Sequence, residues 1–519
     1  MAKYLVAIDA GTGSGRCVVF DKEGKELSSA AREWTHRTIP IYEGSQVFDA
    51  RWNWKLLCEC IREALVKAKV SPKEIVAVSA TSMREGMVLY DEKGEEIWAC
   101  PNADARAAEE VVELSKSGLS PRIYSITGDW PSIINPPRFL WIKKHEPEIL
   151  KRIHHMTMLS DWILYRLSSN LVTEPSIASS SGLFDLRRRV WSKEIVEWCG
   201  LPQDIFPEVK EAGVVIGEVT SDAAAQTGLE KGTPVVMGGA DTQLGLVGVG
   251  SVEPSNTTII GGTFWQQTMV IDSPIIDPNY RIRTLCHVIP GRWMIEGIGF
   301  YCGLAMRWFR DAFCEYEKRL ANEKGVDVYS LLEEIAKDVP PGSNGVMAIF
   351  SDVMNVQHWI HASPSFVQFD IYNPSTSGKI QCFRAIEESA AYVSFGNIEV
   401  IKEVTGRSTE EIIFCGGASK GFLWPKILSD VLGTNLKIPL VKEATALGAA
   451  ICAGTGVGIY NNITSASESL VKWDRTVECN EKNHQIYMKQ YEQYRKVYSK
   501  CIDMVKEGLL RPMWRAPGT

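Results

Sequence analysis

Short apolar runs joined by glycine-rich turns open the chain. Residues 4–9 (YLVAID) and 17–20 (CVVF) have the composition of β-strands, and the turn at 11–15 joins them as a hairpin. Apolar residues then recur at helical spacing from 52 to 69, and the run 75–81 (IVAVSAT) has the pattern of a buried strand. Strands that alternate with helices in this way predict a layered α/β domain.

A second unit of the same kind begins near residue 235. The run 234–238 (PVVMG) is a predicted strand, and 257–271 contains two more strands around the turn Gly261-Gly262-Thr263. A further strand, IIFC, leads into Gly416-Gly417. The strand–turn–strand pattern at 257–271 repeats that of the N-terminal hairpin and therefore predicts a second α/β domain.

These two units place the predicted domains at residues 1–245 and 246–519. Tyrosines at helical spacing over 484–506 predict a packing helix that closes the second domain. No low-complexity linker separates the domains, which indicates a hinge between them. A cleft between two such domains is a natural place for a ligand.

Composition and charge narrow the class of protein. The 519 residues carry a formal net charge of −7, with no dense Lys/Arg run, so neither nucleic acid nor an anionic membrane surface is an expected partner. The chain has no run of 18 apolar residues, and its start, MAKYLVAIDAG, has no signal core. The 13 cysteines are scattered without a C-x-x-C pair. These features predict a cytoplasmic protein with reduced thiols.

The segment 9–16 (DAGTGSGR) has the composition of a phosphate-binding turn. Its three glycines let the backbone approach a ligand closely and adopt positive φ, and successive N–H groups form a concavity for anions. Asp9, at the end of a strand, is placed to face a Mg²⁺ that accompanies the phosphates. The predicted phosphate ligands are Gly11, Thr12, Gly13, Ser14 and Arg16.

Two commoner phosphate motifs do not fit this segment. A Walker loop needs G-x-x-x-x-G-K-[ST], which the chain lacks. The dinucleotide fingerprint G-x-G-x-x-G fails because Arg16 replaces the third glycine and a strand, not a helix, follows the turn. Taken alone, the segment leaves two readings open, a phosphate site and a structural hairpin.

Three motifs together resemble the FGGY carbohydrate kinases, which share the fold of actin and the Hsp70-type ATPases. D-x-G-T-x-S-x-R at 9–16 resembles their first phosphate motif, and Gly262-Thr263 resembles the second. The run 416–419 (GGAS), before a helix, resembles the adenosine motif. The resemblance implies ATP and Mg²⁺ binding by two actin-like, ribonuclease H-like α/β domains with an interdomain catalytic cleft. The nucleotide contacts that it implies in the second domain are Gly262, Thr263, Gly416, Gly417, Ser419 and Gly421, the last standing where some members have Asn.

The same resemblance identifies a catalytic candidate. Asp241 follows a predicted strand in the segment GGAD, and the Asp of this element acts as general base in the family. A hydroxyl that attacks a γ-phosphoryl group needs a carboxylate to orient it and accept its proton. Apart from the resemblance, an Asp after two glycines is more often a turn former.

Candidate contacts to the acceptor lie after the strand IVAVSAT. Arg84 and Glu85 match the Arg-Glu pair that holds substrate hydroxyls in glycerol kinase, although a surface ion pair is the alternative. Asp104 lies in the segment NADAR, which resembles the W-x-D-x-R segment of sugar kinases with Asn102 in place of Trp. The predicted acceptor site is completed by Asp241.

The segments SMREG, GGTFWQQ and KEATALGAA read most closely like the branch of the family that phosphorylates the quorum-sensing signal autoinducer-2. The implied reaction transfers the γ-phosphoryl group of ATP to the C5 hydroxyl of 4,5-dihydroxypentane-2,3-dione. Residues 350–354 (FSDVM) replace the P-x-x-x-G-E-R of most sugar kinases, which weighs against glycerol, xylulose or gluconate. By resemblance, the phosphocarrier protein HPr is a candidate partner.

Two alternatives stay open at this point. The chain is a kinase of another small polyol or ketose, or it is an actin-like or Hsp70-like ATPase that needs no small acceptor. The Arg84-Glu85 pair argues against the second alternative, because such an ATPase has no need of an acceptor site. Turnover of ATP without any acceptor is the result that the ATPase alternative predicts.

Overall fold

A computed structural model describes residues 3–518, and it has two α/β halves, each built around one principal β-sheet. Met1, Ala2 and Thr519, which the predicted domain ranges include, lie outside the described residues. Over residues 3–518, no helix has both the length and the apolar character that a membrane span requires.

The first half contains the N-terminal hairpin and extends to the helix that starts at Asp241. Its elements are β1 Tyr4–Ala10, β2 Ser14–Asp21, β3 Glu26–Glu33, α1 Ala50–Ala68, β4 Ile75–Ser82, β5 Met87–Tyr90, β6 Glu96–Cys100, α2 Ala108–Lys116, α3 Leu119–Thr127, α4 Asn135–His145, α5 Pro147–Leu150, β7 His155–Met158, α6 Leu159–Ser168, β8 Val172–Thr173, α7 Pro175–Ser179, β9 Phe184–Asp185, β10 Val190–Trp191, α8 Lys193–Cys199, β11 Glu208–Val209, β12 Val215–Glu218, α9 Ser221–Thr227, β13 Pro234–Ala240 and α10 Asp241–Gly248.

The main sheet of this half brings three candidate site residues to one edge. Its strand order is β12-β13-β4-β1-β2-β3, in which β4 is parallel to both β1 and β13. The carboxyl ends of parallel strands meet at the same edge of a sheet, where α/β proteins bind ligands. Asp9 near the end of β1, Arg84 just after β4 and Asp241 just after β13 therefore converge.

The second half repeats the plan with a larger sheet, in the order β16-β17-β15-β14-β21-β22-β23. Its elements are β14 Thr257–Gly261, β15 Trp265–Ile271, β16 Arg283–Cys286, β17 Trp293–Gly299, α11 Cys302–Phe313, α12 Glu315–Lys324, α13 Val328–Ala336, β18 Met347–Ile349, β19 Ile360–Ala362, β20 Ser365–Val367, α14 Lys379–Thr405, β21 Glu411–Cys415, α15 Leu423–Leu432, β22 Asn435–Pro439, α16 Ala444–Gly456, α17 Ile463–Leu470, β23 Trp473–Val477, α18 Glu481–Lys506 and β24 Pro512–Arg515.

The predicted strands and helices are confirmed, and one of them is longer than expected. The second strand begins at Ser14 rather than Cys17, because Gly15 and Arg16 already pair with β1 and with β3. The turn of the hairpin is therefore confined to residues 11–13. The predicted domain boundary at 245/246 falls within α10 and stays a prediction.

Helices α10 and α16 cross in close contact beside the first sheet. A Cβ atom on Gly248 would lie 1.9 Å from the carbonyl oxygen of Ala444, and one on Gly448 would lie 2.0 Å from that of Leu244. The backbones approach this closely only because both positions are glycine. Asp241 is the first residue of α10, and Glu443 immediately precedes α16. The contact between the two helices therefore fixes the distance between Asp241 and Glu443 at the interdomain cleft.

We expect Gly248→Ala to lower the free energy of unfolding by about 1–3 kcal/mol, the usual range for overpacking in a filled interior. Gly245→Ala on the same helix is the matched control, because its Cβ would lie an ordinary 3.4 Å from the Thr445 hydroxyl. The control should be neutral or stabilising by up to about 1 kcal/mol through helix propensity. Urea unfolding measures both variants, and equal effects would contradict the tight helix contact.

Candidate active site

A cavity of about 910 Å³ separates the two halves. Asp9, Arg16 and Asp241 line it from the first half. The turn at 416–420 and the segment 438–445 line it from the second. The structure thus brings Asp9 and Arg16, which flank the first phosphate turn, together with the candidate base and the adenosine turn at one interdomain cleft.

Side chains behind the first phosphate turn hold it in place. The Trp34 indole N–H donates to the carbonyls of Gly11 (3.2 Å) and Thr12 (3.1 Å), and a Cβ on Gly15 would lie 2.5 Å from the Trp34 ring. In this described turn none of the three glycines has a positive φ, so that expectation is wrong. The chain passes directly from the turn into an antiparallel ladder, and at position 15 any Cβ atom would overlap the Trp34 ring. Position 15 therefore requires glycine.

Arg16 lies between carboxylates from both halves. It contacts Glu443 at 2.5 Å and Asp9 at 3.5 Å. Burial raises the pKa of Asp9 to about 7; Asp241 and Glu443 add to this rise, whereas Arg16 opposes it. The turn therefore presents a guanidinium and a carboxyl group side by side at the cleft.

Asp241 begins α10 and is partly exposed to the cavity. One of its carboxylate oxygens accepts hydrogen bonds from the backbone N–H of Thr242 (2.6 Å) and from the Thr242 hydroxyl (3.3 Å). Burial raises the pKa of Asp241, and the Arg84 guanidinium opposes that rise. The second carboxylate oxygen is the one available to accept a proton from a bound alcohol.

A buried ion network surrounds Arg84 and crosses between the halves. Arg84 binds Glu296 through both terminal nitrogens, at 3.0 and 3.3 Å. Arg283 reaches Glu296 at 2.6 Å, Glu85 at 3.1 Å and Asp129 at 3.2 Å. Arg84 and Glu85 are only 6% and 4% exposed, so the alternative of a surface ion pair is wrong. Glu85 also has a φ of 61°, an uncommon conformation for a residue with a side chain and one that concentrates at functional sites.

Sequence reasoning missed the partners from the second half. Arg283 and Glu296 lie in strands β16 and β17, whose other residues are mostly apolar. A charged residue inside such a strand is a usable signal, because a buried charge must be paired. The sequence does not show, however, that their partners lie about 200 residues earlier.

We expect Arg84→Ala to raise the KM for the acceptor by about 10–100-fold and the KM for ATP much less. The estimate follows from the loss of hydrogen bonds from a charged donor whose guanidinium also acts on the Asp241 carboxyl group. Steady-state kinetics with each substrate varied in turn tests this. Arg122→Ala, which breaks an exposed ion pair with Glu194, is the control. Equal effects on both KM values would remove Arg84 from the acceptor site.

Asp104 is placed within an ion cluster of the first half. It is 1% exposed and accepts from Arg106 (2.8 Å) and from the backbone N–H of Gln46 (2.7 Å), with Arg138 at 3.7 Å. Its direct contact with an acceptor stays a prediction. Asn102, the residue in place of Trp, instead donates to the Thr12 hydroxyl at 3.1 Å.

A second cavity of about 600 Å³ lies in the second half, between the Gly262-Thr263 turn and the adenosine turn. Arg307 donates to the Thr263 hydroxyl at 3.0 Å. Gly416 has a φ of 94°, and a Cβ there would lie 2.7 Å from the Gly261 carbonyl oxygen. The two glycine turns therefore touch each other, and this contact depends on glycine.

The end of the adenosine turn is occupied by an acidic side chain. Glu333 accepts from the backbone N–H groups of Phe422 (2.7 Å) and Leu423 (3.2 Å) at the start of α15. A Cβ on Gly421 would lie 2.0 Å from the Glu333 carboxylate. Gly421, which stands where some family members have Asn, therefore leaves the space that the Glu333 carboxylate occupies. Arg475 supports the turn by donating to the Gly421 carbonyl at 2.6 Å.

The residues at the cleft fit a Mg²⁺ ion that arrives with a nucleotide. Mg²⁺ prefers oxygen ligands and commonly uses one or two carboxylates together with substrate phosphates. Asp9 and Asp241 supply carboxylate oxygens to the same cavity. Across the described part of the chain, no group of three or more His, Cys, Asp or Glu side chains forms a metal site. Asp9 as the ligand stays a prediction.

Comparison with known proteins decides the family. Residues 4–248 match the family model for the FGGY family of carbohydrate kinases, N-terminal domain, and residues 258–457 match the corresponding C-terminal domain. The chain belongs to the FGGY family of carbohydrate kinases. As an FGGY kinase it is a phosphotransferase with an alcohol group as acceptor, which confirms the predicted enzyme class.

Relatives and solved structures agree with this assignment. This FGGY kinase is 47% identical to the autoinducer-2 kinase of Salmonella typhimurium and 46% identical to that of Escherichia coli K12, over 99% of its own length and 98% of theirs. Its fold resembles a xylulose kinase from Rhodospirillum rubrum (TM-score 0.84, 22% identity, 97% and 99% coverage) and Plasmodium falciparum glycerol kinase with ADP (0.83, 19%, 96% and 98%). The predicted fold class is confirmed.

Proposed function

We propose that this FGGY kinase transfers the γ-phosphoryl group of ATP to the C5 hydroxyl of autoinducer-2, 4,5-dihydroxypentane-2,3-dione, in the processing of a quorum-sensing signal. The observation that carries the proposal is the identity of 46–47% with autoinducer-2 kinases over nearly their whole length. The interdomain cleft, which Asp241 lines together with Asp9 and Arg16, supports the same reaction, and the Arg84 guanidinium acts on the Asp241 carboxyl group.

Residues from both halves of the cleft take part in this reaction. The turn at 11–16 and the Gly262-Thr263 turn hold the phosphates through backbone N–H groups and hydroxyls. Asp241 orients the acceptor hydroxyl and takes its proton as the new P–O bond forms and the bond to ADP breaks. Asp9 would hold a Mg²⁺ ion, which would supply positive charge against the phosphates. Closure of the two halves excludes water from the γ-phosphoryl group.

The acceptor is small and rich in oxygen. Arg84 and Glu85 present a donor and an acceptor of hydrogen bonds in a site almost closed to solvent. Carbonyl and hydroxyl oxygens of a five-carbon dione match these groups. The charges of the buried network are paired with each other at 2.6–3.3 Å, which fixes the positions of these groups.

The test is release of ADP by the purified chain with Mg-ATP and a panel of acceptors. The panel contains 4,5-dihydroxypentane-2,3-dione, glycerol, xylulose, ribulose, gluconate and a blank. Release with the dione alone supports the proposal. Preference for another polyol would overturn the acceptor and keep the family chemistry. Release in the blank would favour the ATPase alternative.

Three further assignments rest on different grounds: the location on the scattered thiols, the protein partner on the family resemblance, and the domains on the repeated strand pattern. We propose a cytoplasmic location, HPr as a protein partner, and domains at 1–245 and 246–519. Co-purification with purified HPr, judged by size-exclusion chromatography, tests the partner. Expression of residues 1–245 and 246–519 as separate chains, each checked for folding by circular dichroism, tests the boundary.

A further inference from the structure

Glu387 is a buried carboxyl group without a counterpart in the mechanism above. It lies in the middle of α14, is 1% exposed and lines the second cavity beside Gly417 and Ala418. Neither of its carboxyl oxygens has a hydrogen-bond partner among residues 3–518. A buried polar group left unpaired costs free energy, so this side chain calls for an explanation.

Neighbouring groups are already committed to other partners. The Glu333 carboxylate receives backbone N–H groups at the start of α15, and the Trp424 indole N–H donates to the Glu387 main-chain carbonyl at 3.2 Å. Arg384, one turn earlier on α14, donates to Glu388 at 3.0 Å and to the Tyr487 hydroxyl. The Glu387 side chain therefore lines the cavity, and no guanidinium among residues 3–518 is bound to its carboxyl oxygens.

The environment disfavours the ionised form of this carboxyl group. Burial raises the pKa of Glu387 well above its ordinary value, and the nearby Glu333 carboxylate adds to the rise, which Arg384 only partly opposes. A protonated carboxyl offers one donor next to one acceptor, whereas an ionised one offers acceptors only. In its protonated form the unpaired Glu387 carboxyl group offers a donor beside an acceptor at the cavity wall.

We propose that Glu387 reads the adenine base of the nucleotide through its 6-amino edge. The carboxyl C=O accepts a hydrogen bond from the 6-amino group, and the carboxyl O–H donates to the adjacent ring nitrogen. The cavity joins the Gly262-Thr263 turn to the adenosine turn, which places a base here when the phosphates lie in the interdomain cleft. This inference rests on the proposed ATP-dependent function and adds the residue that selects the base.

A cycle between protein and ligand variants tests the contact directly. ADP is compared with purine riboside 5′-diphosphate, which lacks the 6-amino group, by calorimetric titration without any acceptor. For the wild-type chain and for Glu387→Gln, whose amide also offers a donor and an acceptor, ADP should bind about tenfold or more tightly. For Glu387→Leu the two ligands should bind within about threefold of each other.

The outcomes separate this inference from the proposed function. If the wild-type chain binds the two ligands equally, or if Glu387→Leu keeps the wild-type preference, the Glu387 assignment is overturned while kinase activity stands. If the wild-type chain binds neither ligand, the ATP-dependent function and the inference fail together. Should the Leu variant not fold, as judged by circular dichroism, Glu387→Met replaces it in the same comparison, with the same expected loss of preference.

Discussion

Asp241→Asn is expected to lower kcat by at least ~10²-fold while the protein folds and binds nucleotide normally. A general base contributes about 10²–10⁴-fold, and Asn cannot accept the proton of the acceptor hydroxyl. Its side chain has the same shape and its carbonyl oxygen can still accept from the Thr242 N–H, which in the wild type donates at 2.6 Å. A loss of kcat would therefore reflect the chemical step rather than a disrupted start of helix α10.

Initial rates of ADP release and ADP affinity, measured on the same preparation, separate chemistry from binding. Asp474→Asn is the matched control, because Asp474 lines the same cavity but pairs with the partly exposed Arg475. The control should stay within a few-fold of wild type. A variant at Asp241 that turns over normally would show that the proton leaves by another route.

Glu296→Gln is expected to lower the free energy of unfolding by about 3–5 kcal/mol, the usual cost of removing one partner from a buried ion pair. Its carboxylate is inaccessible to solvent and binds both Arg84 and Arg283. Burial opposes ionisation, but the two guanidinium groups lower the pKa of Glu296 below its ordinary value of 4.5. Without the Glu296 carboxylate, the buried guanidinium groups of Arg84 and Arg283 lose their shared partner.

Urea unfolding at neutral pH measures the effect, and Glu194→Gln is the control. Glu194 makes a comparable bidentate pair with Arg122, at 2.8 and 2.9 Å, but is exposed, so its loss should cost at most about 1 kcal/mol. The advantage of wild type over Glu296→Gln should be complete above pH 4.5 and disappear as the pH falls through the lower folded-state pKa. Equal losses in both variants would show that the interdomain network is not stabilising.

Local patterns in the sequence were sufficient for the elements and for the turns. The strand 4–9, the helix over 52–69 and the closing helix over 484–506 all appear, because alternating and 3.6-residue periodicities follow directly from which faces are buried. The phosphate turns were also predictable, since glycine, hydroxyl and carboxyl residues adjacent in sequence are adjacent in space.

The tertiary structure decided what those residues contact. Only the parallel order of β1, β4 and β13 brings Asp9, Arg84 and Asp241 to one edge.

Arg283, Glu296 and Glu387 joined the cleft and its neighbouring cavity because strands and helices distant in the chain pack together there. The sequence by itself determined the secondary structure, the glycine turns and the candidate base. The burial and pairing of charges depend on long-range packing, which no local pattern contains.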